Sequence, residues 1–218
     1  ARVEAQAAHL LRNDIRSVLI RGSTGESHSL TLQERRELTQ RWSEVAQNTP
    51  LKVMVHVGSN SLDDAKTLAV QAARLGAAAI AALAPSYFKP RTLGVLVDWC
   101  ALIAAAAPET PFFFYDIPSV TGVRFPMREF LVQAADRIPT LAGIKYTNYD
   151  LVDLQFCLRV NEGAFDIAWG GDDALLPALA LGAQAAIGTS YNFAAPLFHR
   201  LIKSFQNGDL ETARKEQF

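Results

Sequence analysis

The sequence predicts an α/β fold with a parallel β-sheet, on the basis of two observations. Short apolar runs alternate with amphipathic segments, and the runs recur roughly every 20 to 35 residues, the length of a βα unit. The intervening segments carry helix-start signals, with a capping box at residues 31–34 and a weaker relative of one at 61–64. The predicted strands are 17–22, 52–58, 77–85, 111–118, 141–147, 165–171 and 185–190.

The number of strands favours a closed barrel over a doubly wound sheet. About seven strands are predicted, and no G-x-G-x-x-G motif follows the first of them. Residues 2–13 form a helical pattern with no strand before it, so a (β/α)8 TIM barrel would lack its first strand in this chain. Residues 209–218 begin a further helix without a stop signal. We therefore expect a barrel over residues 1–207, the start of a C-terminal helical extension over 208–218, and a natural chain that is longer.

Composition narrows the function classes. The chain has 218 residues, 50% of them hydrophobic and 20% charged, which suits one globular domain. The net charge of −1, with the two signs interspersed, argues against partners such as nucleic acid or an anionic membrane surface. No apolar stretch approaches the roughly 20 residues of a membrane span, and the N-terminus lacks a signal-peptide pattern. These features predict a cytoplasmic protein.

Cysteine and histidine usage indicates neither a disulfide framework nor a metal site. Cys100 and Cys157 lie in helical patterns without C-x-x-C spacing, so both are interpreted as packing residues. The histidines have no metal-ligand spacing. His56, on a predicted strand, is interpreted as a core histidine with satisfied hydrogen bonds.

Lys145 is the most informative single residue because it lies within an apolar strand. Alternation along the strand places Leu141, Gly143, Lys145 and Thr147 on one face, and Ala142, Ile144 and Tyr146 on the other. The second set suits packing against helices, so Lys145 is expected to point into the barrel near the C-terminal end of its strand, where barrel enzymes keep their chemistry.

A buried lysine supports either of two interpretations. Loss of hydration lowers the pKa of an ammonium group and supplies free amine, which can attack a carbonyl and form a Schiff base. Alternatively, the cation pairs with a buried carboxylate or extends past the strand end to water. Position alone gives the two interpretations about equal weight.

Three further segments stand next to predicted strand ends. Residues 21–27, RGSTGES, offer backbone N–H groups and hydroxyls to an anion such as a carboxylate, although a tight turn with hydroxyl capping is an equal alternative. Tyr115 can relay a proton, or it is simply a buried structural tyrosine. Asp172 and Asp173 can bind substrate hydroxyls, or they favour the N-terminus of a helix.

Four motifs in this order resemble the dihydrodipicolinate synthase/N-acetylneuraminate lyase family of pyruvate-dependent class I aldolases. The motifs are GSTGE (22–26), YDIPSVTG (115–122), GIKYTN (143–148) and GTSYN (188–192), and the resemblance covers nearly the whole chain. Within the family, the sequence is most similar to animal-type N-acetylneuraminate lyases, through HVGSNSL (56–62), APSYFKP (84–90) and the segment 170–192.

The resemblance implies a reaction and a set of site residues. It implies reversible aldol cleavage of N-acetylneuraminate to N-acetylmannosamine and pyruvate, with Lys145 forming the Schiff base and Tyr115 relaying the proton. It assigns the pyruvyl carboxylate to Ser23 and Thr24. The residues implied to line the sugar end are Thr147, Gly170, Asp172, Asp173 and Thr189. Lyases of the family usually carry Glu where this chain has Asp173, which brings the reach of that carboxylate into question.

Two departures favour a sugar-acid lyase over a synthase. Synthases place an arginine where this chain has Val120, and valine cannot form the two-point contact that a carboxylate substrate needs. They also carry a tyrosine pair where this chain has Tyr87 followed by Phe88. A dihydrodipicolinate synthase, another 2-keto-3-deoxy sugar-acid aldolase and a non-catalytic barrel that binds a keto acid or sugar acid remain the alternatives. The resemblance further implies small-molecule substrates, a homotetramer, and no metal or organic cofactor.

Overall fold

The computed structural model describes residues 2–218, which form a curled sheet of seven parallel strands surrounded by helices. The strands follow one another in chain order, and each pairs with the next. This arrangement confirms the predicted α/β, barrel-like class and all seven predicted strand positions. The strands are β1 (Ser17–Ile20), β2 (Lys52–His56), β3 (Ala79–Leu83), β4 (Phe112–Asp116), β5 (Leu141–Tyr146), β6 (Asp166–Trp169) and β7 (Ala185–Ala186).

Helices follow the strands, and the predicted start signals act as expected. The Thr31 hydroxyl accepts a hydrogen bond from the N–H of Glu34, whose carboxylate accepts one from the N–H of Thr31, which completes the predicted capping box. The helices are α1 (Arg2–Arg12), α2 (Leu32–Ala46), α3 (Leu62–Arg74), α4 (Leu93–Ala104), α5 (Pro118–Thr121), α6 (Met127–Ala135), α7 (Leu151–Cys157), α8 (Leu175–Leu181), α9 (Tyr191–Gln206) and α10 (Leu210–Gln217).

The apolar side chains form a large outer core and a small inner one. The outer core lies between the sheet and the helices, and it contains Ile144 and Tyr146 of β5 as well as Cys100 and Cys157, which are free thiols that serve as packing residues. The inner core inside the curled sheet includes Ala81 and Phe113.

One part of the predicted alternation along β5 is wrong. Leu141 packs in the outer core and Ala142 packs with the inner core, the reverse of the expected faces. The pairing with β4 shifts between Phe112 and Phe113, so that Ala142 is an extra residue in β5. A bulge of this kind reverses the faces on one side of it and leaves the other side unchanged, so Ile144 and Lys145 still point as predicted.

Strands β1 and β7 are the two edges of the sheet. Two contacts connect the elements on either side of the opening between these edges. The hydroxyls of Thr24 and Thr189 lie 2.6 Å apart, and His9 Nε2 of α1 lies 3.0 Å from the carbonyl oxygen of Asn192 at the start of α9. These contacts hold the two edges of the sheet, β1 and β7, next to each other. Across residues 2–218, no helix has the length and apolar character needed to cross a membrane.

Candidate active site

Lys145 lies on the inner face of β5, one residue before the strand ends, as the alternation predicts. Only 6% of its surface is exposed. Its Nζ lies 3.4 Å from the Thr147 hydroxyl and 3.7 Å from the centroid of the Tyr115 ring. The amine thus has a weak hydrogen bond and an aromatic face beside it.

Burial lowers the pKa of Lys145 below its usual value of 10.5. Loss of hydration is the main cause, and the nearby Tyr115 and Asp172 side chains partly oppose it. No salt bridge joins Lys145 to a carboxylate in residues 2–218. Of the two interpretations of this lysine, the structure therefore favours the activated amine over the buried ion pair.

Tyr115 occupies the register position directly opposite Lys145, on the neighbouring strand β4. It is 3% exposed, and its phenol oxygen lies 3.2 Å from the Ser23 hydroxyl. Its ring also makes an edge contact with the His56 ring at a centroid distance of 5.9 Å. The phenol is thus fixed between the amine and the loop that follows β1, in a position suited to proton relay.

The loop after β1 presents backbone N–H groups and hydroxyls to the same space. The N–H groups of Gly25 and Glu26 bond within the loop, to the carbonyls of Gly22 and Ser23. By contrast, the N–H groups of Ser23 and Thr24 have no acceptor within residues 2–218. Two free N–H groups beside two hydroxyls suit a carboxylate, so the structure favours the anion-binding interpretation of this loop over the capping turn.

Thr147 and two glycines bring the ends of β5, β6 and β7 close together. A Cβ atom at Gly170 would lie 1.9 Å from the Thr147 hydroxyl oxygen, and one at Gly188 would lie 2.8 Å from Asp172 Cγ. Both positions therefore require the absence of a side chain. The Asp172 carboxylate also accepts a hydrogen bond of 2.6 Å from the N–H of Ser190, which orients it.

A cavity of about 270 Å³ brings most of the predicted site residues together. Its lining includes Ser23, Thr24, Tyr115, Lys145, Thr147, Gly170 and Thr189. Asp172 and Asp173 lie beside this cavity instead of lining it, on a 3₁₀ turn that follows β6. Among residues 2–218, no group of three or more His, Cys, Asp and Glu side chains is placed to hold a metal ion.

Asp173 is engaged by a residue that sequence reasoning missed. The Tyr149 hydroxyl donates a hydrogen bond of 2.6 Å to Asp173 Oδ1. The two residues are 24 positions apart, and no local pattern connects them. Tyr191 was missed in the same way: it lines the cavity, and its buried hydroxyl has no hydrogen-bond partner in residues 2–218.

The interpretation of His56 was only half right. It is a fully buried core residue, but neither of its ring nitrogens has a hydrogen-bond partner in residues 2–218. Burial, together with the nearby cations Arg35 and Arg21, lowers the pKa of His56 well below 6.5, so the ring is neutral. A neutral ring costs less to bury than an imidazolium, which explains how the position tolerates two cationic neighbours.

Comparison with known proteins agrees with this geometry. The family model described as the Dihydrodipicolinate synthetase family matches residues 1–217. N-acetylneuraminate lyase B of Xenopus laevis is 39% identical over 206 residues, which cover 94% of this chain and 77% of that protein.

Solved structures give the same result. The N-acetylneuraminate lyase of Proteus mirabilis superposes with a TM-score of 0.96 at 34% identity, over 99% of this chain and 72% of that one. The N-acetylneuraminate lyase (sialic acid aldolase) of Aliivibrio salmonicida also has a TM-score of 0.96, at 38% identity, over 99% of this chain and 71% of that one. This chain therefore belongs to the dihydrodipicolinate synthetase family.

Proposed function

We propose that this protein catalyses the reversible aldol cleavage of N-acetylneuraminate to N-acetylmannosamine and pyruvate, through a Schiff base on Lys145. The observation that carries the proposal is the buried Lys145 amine, which has a lowered pKa and lies beside Tyr115 in a cavity. The names of two similar proteins, both N-acetylneuraminate lyases, support the choice of substrate.

In the cleavage direction, the Lys145 amine attacks the C2 ketone of the open-chain sugar acid, and loss of water gives an iminium. As the iminium forms, Tyr115 donates its phenol proton to the hydroxyl that leaves C2 as water. The resulting phenolate then accepts the proton of the C4 hydroxyl while the C3–C4 bond breaks and its electrons flow into the iminium to give an enamine. Protonation of the enamine at C3, followed by hydrolysis, releases pyruvate and restores the amine. N-acetylmannosamine leaves as the aldehyde product.

The remaining predicted residues divide between the two ends of the substrate. Ser23 and Thr24 bind the carboxylate, through the hydroxyls and free N–H groups at the loop after β1. At the other end, the sugar contacts Thr147, Gly170 and Thr189 within the cavity, and Asp172 and Asp173 beside it. The absence of a side chain at Gly170 and the orientation of the Asp172 carboxylate by the N–H of Ser190 set the shape of this end.

Dihydrodipicolinate synthase activity is the main alternative, since the family takes its name from that reaction. Val120 argues against it, because this residue on α5 is 60% exposed and carries no charge for the carboxylate of an aldehyde substrate. Another 2-keto-3-deoxy sugar-acid aldolase would share the Lys145 chemistry and differ only at the sugar end. A non-catalytic barrel that binds keto acids would hold pyruvate without covalent capture.

Reductive trapping tests the proposal first. The protein is incubated with pyruvate and sodium borohydride, and peptide mapping locates any added mass. We expect one pyruvate-derived adduct on Lys145. A folded sample without an adduct on Lys145 would overturn the Schiff-base mechanism and favour the non-catalytic alternative.

A substrate panel then identifies the reaction. N-acetylneuraminate, 2-keto-3-deoxygluconate, and aspartate semialdehyde with pyruvate are compared by kcat/KM. We expect N-acetylneuraminate to be the best substrate and aspartate semialdehyde the poorest. A reversed order would assign the synthase reaction to the chain.

The proposal extends to assembly and location. A cytoplasmic homotetramer, with the barrel over residues 1–207 and the start of an extension over 208–218, is the arrangement we propose, and the mechanism above uses no metal or organic cofactor. The exposed apolar side chains of Tyr87, Phe88 and Val120 support association. Sedimentation equilibrium tests the assembly, and a monomeric mass at micromolar concentration would contradict it.

A further inference from the structure

The side chain of Gln217, in the last helix α10, bonds to the turn that contains Asp172. Its Nε2 donates a hydrogen bond of 3.2 Å to the carbonyl oxygen of Asp172, and its Oε1 accepts one of 2.8 Å from the N–H of Leu176. These partners lie 45 and 41 positions away in the chain. One amide group therefore bonds to both ends of the segment 172–176, which follows β6.

This segment has no local side-chain cap. Gly171 precedes the 3₁₀ turn and Ala174 precedes α8, and neither supplies a side-chain hydrogen bond to the N–H groups that follow it. The first N–H groups of a helix have no acceptor within the helix. Gln217 supplies an acceptor for one of them from a distant part of the chain, so the position of the segment depends in part on α10.

Helix α10 is anchored by other contacts besides those of Gln217. Arg200 of α9 donates two hydrogen bonds of 2.8 Å to the carboxylate of Glu216, and Ala213 is fully buried. The side chain of Gln217 can therefore be replaced while these contacts hold the helix in place.

The Asp172 carboxylate connects this segment with the wall of the cavity. Its Oδ2 accepts the hydrogen bond from the N–H of Ser190, and its Oδ1 would lie 2.9 Å from a Cβ atom at Gly188. Between these two residues, Thr189 lines the cavity, and its hydroxyl lies 2.6 Å from the hydroxyl of Thr24 in the loop after β1. A displacement of Asp172 would therefore reach the loop that we assign to the pyruvate carboxylate.

The same carboxylate acts on the Lys145 amine. Burial lowers the pKa of Lys145, and the Tyr115 and Asp172 side chains partly oppose this effect. Because a Coulomb interaction weakens with distance, a shift of Asp172 away from the amine would lower the pKa of Lys145 further. The position of Asp172 thus affects both the anion-binding loop and the charge of the amine.

We propose that Gln217 is a positioning residue for the pyruvate end of the site, an inference that rests on the proposed lyase function. Its amide holds the segment 172–176, and the Asp172 carboxylate in turn holds the segment 188–190. Thr189 of that second segment then supports Thr24 where it binds the carboxylate of pyruvate. Gln217 does not line the cavity, so it acts on the reaction through Asp172.

The test compares two substitutions in the intact chain. Gln217→Met removes both hydrogen bonds and keeps the length of the side chain, whereas Gln217→Glu keeps the acceptor for Leu176 and removes the donor to Asp172. Pyruvate is trapped on Lys145 with sodium cyanoborohydride. The readouts are the pyruvate concentration that gives the half-maximal trapping rate and the pH dependence of that rate.

Both variants should bind pyruvate more weakly. We expect the half-saturating concentration to rise about 3- to 10-fold, the effect of about one lost hydrogen bond. For Gln217→Met, the increase of the trapping rate with pH should also move to lower pH, because a displaced Asp172 opposes the lowered pKa of Lys145 less. Gln206→Met is a matched control that makes the same substitution at an exposed glutamine of α9, and it should change neither readout.

The outcomes distinguish this inference from the proposed function. A Gln217→Met variant with wild-type half-saturation, or with an unchanged pH dependence, would overturn the positioning role. A Gln217→Glu variant that traps pyruvate as wild type does would also overturn it, because the amide would then serve only to cap α8. Each of these results leaves the lyase function intact, whereas wild-type protein that traps no pyruvate on Lys145 would overturn both proposals.

Discussion

The two ends of the candidate site differ in how the protein holds them. The amine end is built from neighbouring strands, where Tyr115 and Lys145 stand opposite each other and are 3% and 6% exposed. The proposed sugar end includes a 3₁₀ turn, where Asp173 accepts one hydrogen bond from Tyr149, a loop residue that is 57% exposed.

This difference follows from what each end has to do. Activation of an amine requires loss of hydration and fixed geometry, and both are supplied by strands packed on two faces. Discrimination among sugars requires only a few polar contacts, which a loop can provide and change without cost to the core. Substitutions at the amine end should therefore affect the chemical step, and substitutions at the sugar end should affect binding.

The largest effect is expected for Lys145→Met, which keeps an unbranched chain and removes the amine. Turnover should fall by at least about 10³-fold and trapping should disappear, because no other side chain can form the iminium. A coupled assay for pyruvate release measures turnover, and thermal unfolding monitors the fold. Lys203→Met, on the exposed face of α9, is the control that should retain activity. Turnover that survives Lys145→Met would refute the assignment of the chemical step to the amine end of the site.

Tyr115→Phe should have the next largest effect. Loss of the phenol hydroxyl should lower kcat about 10²- to 10³-fold, the usual contribution of a general acid–base group. Trapping of pyruvate on Lys145 should persist, since the amine itself is intact. Steady-state kinetics and mass spectrometry give the two readouts. A kcat within about threefold of wild type would remove Tyr115 from the proton-transfer step.

Gly170→Ala tests the boundary between the two ends. The new methyl group would overlap the Thr147 hydroxyl, at 1.9 Å, and displace a side chain that contacts Lys145. We expect kcat/KM to fall about 10- to 100-fold, since displacements of about 1 Å have effects of this size. Gly94→Ala in α4 is the matched control, because a Cβ atom there meets nothing within 4 Å. Equal kinetics for the two variants would show that Thr147 adapts freely.

The smallest effect on activity is expected for Asp116→Asn. This variant tests how ionisation of a buried carboxyl group changes the free energy of unfolding with pH. Burial is the main cause that raises the pKa of Asp116 from 3.8 to about 7. Between these values the folded protein holds a proton that the unfolded chain has released, so this group makes the free energy of unfolding fall as pH rises.

Replacement of Asp116 by Asn removes that dependence. The free energy of unfolding of the variant minus that of wild type should therefore increase by about 2–4 kcal/mol as the pH rises from 4 to 8. Urea denaturation over this range measures the difference. Because the pKa of His56 is lowered, this group makes the free energy of unfolding rise with pH. His56 is present in both proteins, so its contribution cancels when they are compared. A difference that does not change with pH would show that Asp116 ionises normally in the fold.

Much of the buried end could be predicted from the sequence. Strand positions, the inward direction of Lys145 and the capping box all depend on local periodicity, which is strong in buried strands. The faces of Leu141 and Ala142 were mispredicted because the bulge in β5 arises from pairing with β4, and pairing leaves no mark on local alternation. The free nitrogens of His56 were missed because they depend on which neighbours approach the ring.

What the sequence alone determined is the fold class and the identity of the buried amine. A single lysine among apolar strand residues is informative because burial of a cation is costly, and that cost does not depend on distant parts of the chain. What only the tertiary structure decided is the exposed end. The pairing of Tyr149 with Asp173 depends on the absent side chain of Gly171 and on two strand ends that meet in space. Such contacts are set by the packing of β5 against β6, which no short stretch of sequence encodes.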